Sequence, residues 1–71
     1  SNKVPTKINH TKNMKKIYVL NMMIYEIGSD TPSHHSKSFD TYEEALKTAK
    51  IICKQSDVEW WDINEEEVKY E

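Results

Sequence analysis

The residues with the widest chemical range in this chain are three histidines and its single cysteine: His10, the adjacent pair His34 and His35, and Cys53. Imidazole nitrogen and thiolate sulfur are the donors that hold zinc and related ions. A site requires them to converge, and their placement argues against it. Neighbouring residues of a strand point to opposite faces, so His34 and His35 cannot easily chelate one ion, while Cys53 falls on the apolar stripe of a helix, where a small buried thiol is expected. The expectation is no metal ligand set and no cofactor. Catalysis lacks its usual signatures as well. There is no glycine-rich phosphate loop and no nucleophile beside an evident base, and a chain of 71 residues has little room to enclose a pocket. No catalytic residue is assigned, and the chain reads as one that works by binding, not as an enzyme.

Charge suggests what it binds, in two ways. Lys3, Lys7, Lys12, Lys15 and Lys16 crowd the first sixteen residues without an acid among them, and a lysine arm of this kind can follow a phosphate backbone. A nucleic-acid-binding accessory protein, using these lysines and an exposed aromatic, is therefore one reading. Against it, all ten basic residues are lysine, and arginine is the better residue for bidentate contacts to phosphate or guanine. The other end is acidic: Asp57, Glu59, Asp62, Glu65, Glu66, Glu67 and Glu71 stand against Lys69 alone, so the net charge of -2 hides a dipolar chain. Such an end is a solvated face, a surface for a basic partner, or an imitation of a nucleic-acid backbone of the kind small inhibitor proteins from mobile elements use.

Size limits what can position these groups. The chain makes one domain, and a domain this small buries only about 60% of the surface its unfolded form exposes. One cysteine excludes an internal disulfide framework, which points to a reducing, cytoplasmic setting. No run approaches the roughly 20 apolar residues of a membrane span, and the longest apolar stretch carries Asn21 and Glu26 within it, so no membrane partner is expected. Residues 1–13 show no hydrophobic period and read as a flexible basic arm or as a leader preceding Met14; residues 14–71 form the folded unit.

Within that unit the pattern predicts an α+β fold. Residues 16–27 form a long apolar strand, and residues 28–33, with Gly28 and Pro32, form a turn. A short polar strand over 34–39 suits a sheet edge. Thr41-Tyr42-Glu43-Glu44 has the form of a capping box, and Tyr42, Ala45, Leu46, Ala49, Ile52 and Cys53 recur at helical spacing as one apolar stripe, with Ile51 on the opposite side. Residues 58–63 read as a third strand and 64–67 as a turn, after which Val68, Lys69 and Tyr70 make either a fourth strand or an outgoing tail. A right-handed crossover from strand two through the helix makes strand three parallel to strand two and antiparallel to strand one. The sheet order is then 2-1-3, with any fourth strand outside the third and the helix on one face. The segment Ser-Phe-Asp-Thr-Tyr-Glu-Glu-Ala-Leu resembles a strand-to-helix junction found in many small bacterial and phage domains, which is generic local chemistry and carries no function.

One feature of this arrangement points beyond the chain itself. The long strand is apolar on both faces: Ile17, Val19, Met23, Tyr25 and Ile27 on one, Tyr18, Leu20, Met22 and Ile24 on the other. A single helix covers only one set. Trp60 and Trp61 repeat the conflict, since one of them must face away from the helix. The expectation is a protein-interaction module that self-associates as a homodimer or docks on another protein, using Leu20, Met22, Ile24 and one of Trp60 and Trp61 on the open face of the sheet.

Overall fold

The computed structural model describes residues 14–69, which form β1 (Met14–Tyr25), β2 (Pro32–Phe39), α1 (Tyr42–Gln55) and β3 (Asp57–Lys69). The proposed arm at residues 1–13 lies outside the described residues, as does Tyr70. The strands make one antiparallel sheet in the order β2-β1-β3, with α1 on one face, as the crossover argument requires.

Local chemistry sets the ends of these elements. The β1–β2 connection begins with a turn in which the Ser29 N–H donates to the Glu26 carbonyl at 3.0 Å. Gly28 sits at its third position with φ +84, a left-handed conformation that costs a residue without Cβ little. Because that turn starts at Glu26, β1 ends at Tyr25, two residues before the sequence pattern suggests. The Thr41 Oγ1 accepts from the Glu44 N–H at 3.2 Å, so the expected N-cap forms. Glu43 and Glu44 open the helix and Lys54 closes it, each with the sign that complements the helix dipole. At the other end the Ser56 N–H donates to the Ile52 carbonyl at 2.8 Å.

β3 is the longest strand, and it corrects one expectation. Residues 64–67 do not turn: Asn64 lies opposite Val19, Glu65 opposite Tyr18, Glu66 opposite Ile17 and Glu67 opposite Lys16, and Val68 and Lys69 continue the same strand. The long central strand supplies a partner for every residue of this acidic stretch, and ladder pairing overrides the local preference for a turn. The ladder shifts register between Met23 and Ile24, which face Trp60 and Val58 and leave Glu59 as the extra residue of a bulge.

The core is thin. Leu20, Ala45 and Ala49 are fully buried and Met22 is 5% exposed; around them pack Tyr18, Ile24, Phe39, Ile52, Trp61 and Ile63. The helical stripe narrows to its two alanines, with Leu46 and Ile52 half-buried, while Tyr42 and Cys53 are exposed. A buried Cys53 is thus corrected: the contact between one helix and three strands is too narrow to cover the flanks of the stripe. Tyr42 is held instead by an edge-on contact with Tyr18, their ring centroids 6.2 Å apart.

A core this small concentrates stability in few side chains. Leu20→Ala is expected to cost about 3 kcal/mol and Thr41→Ala about 1 kcal/mol in urea unfolding followed by circular dichroism. An equal cost for the two would contradict this description of the core.

Candidate functional site

The helix lies over the even set of β1. Leu20 and Met22 belong to the core, and Ile24 and Trp61 pack against it, so the expectation that Leu20, Met22 and Ile24 line the open face is corrected. Of the two tryptophans, one of which was expected there, Trp60 is the one left exposed, at 46%. The open face presents the other set: Ile17, Val19, Met23 and Tyr25 of β1, with Trp60 directly across from Met23.

Two residue patterns carry the signal for this parity. Asn21 is the polar residue at the centre of the odd set, where a helix packed above would leave its amide without water. In β3, Trp61 and Ile63 alternate with Trp60, Asp62 and Asn64, so the apolar member of each pair marks the covered side.

The middle of the open face holds a polar row spanning all three strands. Asn21 Nδ2 donates to Asp62 Oδ1 at 3.3 Å, and Asn21 Oδ1 lies 3.1 Å from His34 Nε2. The carboxylate accepts only, which fixes the Asn21 amide with its oxygen toward β2; His34 Nε2 must then carry the proton. The row separates two apolar areas. On one side lie Met23, Tyr25 and Trp60, and on the other Ile17, Val19 and Val68, the last opposite Lys15.

At the end of the face, next to the bulge, the Tyr25 hydroxyl donates to Glu59 Oε2 at 3.3 Å. The negative charge of Glu59, then partial burial and this hydrogen bond, with Asp57 contributing further, hold the Tyr25 phenol above its ordinary value of 10.0. The neutral phenol is the form the folded state favours. Its contribution is therefore complete below the ordinary value and lost as pH rises through the raised one.

His35 goes the other way. It lies opposite Met22 on the helix side, and its Nε2 is 3.0 Å from Glu26 Oε2. His34 and His35 thus serve opposite faces, and His10 lies outside the described residues. Among the described residues no group of three or more His, Cys, Asp or Glu side chains converges as a metal would need, and no polar or charged side chain is buried. An open depression of about 570 Å³ lies between the β1–β2 turn and the C-terminal end of α1, lined by Ile24, Glu26, Ile27, His35, Gln55 and Ser56.

The lysines of the nucleic-acid reading divide in two. Lys3, Lys7 and Lys12 lie outside the described residues. Lys15 Nζ is 3.3 Å from Asp40 Oδ1, and Lys16 Nζ is 3.3 Å from Glu65 Oε2. The hydrogen bond to Glu65, reinforced by its charge, holds the Lys16 ammonium above its usual range. No described helix is long and apolar enough to cross a membrane.

Compared with known proteins, the chain matches no family model, no curated protein and no solved structure.

The Tyr25–Glu59 contact can be read in solution. Glu59→Gln should bring the Tyr25 titration, followed by NMR of the labelled phenol carbon, down toward 10.0. A titration that does not move would show that Glu59 is not what raises it.

Proposed function

We propose that this chain is a non-enzymatic protein-interaction module of the cytoplasm and that it binds through the open face of its sheet. The observation that carries this reading is Trp60: a large aromatic, 46% exposed, set beside Met23 on the face opposite the helix. Aromatic and Met side chains of this kind anchor protein interfaces, because they bring large area at little loss of rotamer freedom. Apolar residues with no described side chain above them need a cover, and a core of so few buried residues gains stability when a partner binds only the folded state. An exposed single thiol at Cys53 fits a reducing compartment.

Protein is favoured over nucleic acid by the charges on the same face. Asp62, Glu66 and the bulge residue Glu59 run along its β3 side, where they would repel phosphate, and Lys15 and Lys16 are each set against a carboxylate.

The test compares two exposed apolar positions. Ile51, 46% exposed on the outer side of the helix, serves as the control. Trp60→Glu should weaken binding to the partner by about tenfold or more, as expected for an interface anchor, and Ile51→Lys should leave it unchanged. The measurement is quantitative affinity capture from the source cell together with sedimentation of the purified chain. Binding that survives Trp60→Glu intact would overturn the assignment of this face.

A further inference from the structure

We infer that residues 1–13 of the chain itself fold back over the half of the open face nearest Met14, setting Lys7 against Glu66 and Lys3 against Asp62. Met23 and Trp60 stay uncovered, so this contact is separate from any partner bound there.

Charge points to the segment first. Four carboxylates line the β3 side of the face, those of Asp57, Glu59, Asp62 and Glu66, and among the described residues none has a cation within ion-pair distance. The described lysines cannot supply one. Lys16, Lys37 and Lys69 stand opposite Glu67, Leu20 and Met14 and so belong to the helix side, while Lys47, Lys50 and Lys54 are on α1. Lys15 does share the open face, but Asp40 holds it at 3.3 Å, and His34 is engaged with Asn21. Of the ten lysines, Lys3, Lys7 and Lys12 are left, and they lie together in the segment that leads into β1, with no acid beside them.

Register points to the same segment. Both edges of β1 are already paired, so a segment returning from Met14 along β1 runs over its open face. With the reversal at residues 11–13, where Asn13 is a turn former, counting back level by level returns His10 to Met14, Lys7 to Ile17 and Lys3 to Asn21. Ile17 and Asn21 are the β1 partners of Glu66 and Asp62. The segment then runs parallel to β3, and four residues span about 13 Å in each, so both lysines meet both carboxylates at once. The reversal is long enough: the steps from His10 to Met14 reach about 14 Å, and packed layers lie about 10 Å apart.

The apolar residues fit the same placement. Val4 and Ile8 are the segment's large apolar side chains, and in an extended chain they point away from Lys3 and Lys7. With the lysines turned toward β3, Val4 and Ile8 turn toward β1, where Ile17 and Val19 are half-buried and open to a cover. Little area is required. An attached segment meets the face at an effective concentration of about millimolar, whereas a separate molecule must first offset its lost translation and rotation.

The experiment is nuclear Overhauser spectroscopy of the isotope-labelled full chain, comparing wild type with Lys7→Glu, Glu66→Lys and the two combined. Glu66 is exposed on β3 and outside the core, so its reversal spares the fold. Wild type gives cross-peaks from the Ile8 methyls to Ile17 and Val19. Either single reversal sets like charges together and weakens those cross-peaks about fivefold, and the double reversal restores them. A wild type without the cross-peaks overturns the inference, as do cross-peaks indifferent to the single reversals or a double reversal that fails to restore them. Contacts seen only between labelled and unlabelled copies would put the segment on a neighbouring chain's face, which also overturns it. Partner capture through Trp60 is measured separately, so Trp60 keeps its role whichever way these results fall.

Discussion

The packing of Leu20 and Met22 against Ala45 and Ala49 keeps the helix on the sheet, and the rest of the structure depends on it. Alanine at both helical contact positions lets the helix backbone approach β1 closely, which a larger residue would prevent by overpacking. That contact also decides the parity of the sheet. Once the even residues of β1 lie under the helix, Met23 and Trp60 face away from it, and every property of the open face follows.

The order of elements, the sheet topology and the start of the helix were legible because each rests on a local signal that tertiary packing reinforces. Thr41 and Glu44 mark the cap, the spacing of Ala45 and Ala49 marks the covered stripe, and crossover handedness orders the strands. The choice of face was harder to see. Both faces of β1 are apolar, so hydrophobicity alone gives them nearly equal claims on the helix, and the deciding residues, Asn21, Asp62 and Asn64, signal through what a buried amide or carboxylate would cost. Residues 64–67 were misread for a related reason. Their acidic character disfavours a strand locally, but β1 extends back to Met14 and pairs with them all.

Charge placement also governs what the sheet avoids. Among the described residues both outer strands leave a free edge, and such edges invite further strands. β2 answers with short length, Pro32 at its start and polar side chains; β3 answers with Glu65, Glu66 and Glu67 in succession and a bulge at Glu59. Edges so equipped resist open-ended strand addition, whereas the face between them is apolar enough to be covered.

Cys53 has a practical bearing that follows from its position. It is the chain's single cysteine, exposed near the end of α1, on the side of the sheet away from Met23 and Trp60. A thiol-reactive dye attached there would sit behind the sheet, leaving the native face unaltered. Energy transfer from that position to an acceptor on any added molecule would then report on the face without a label lying in its path.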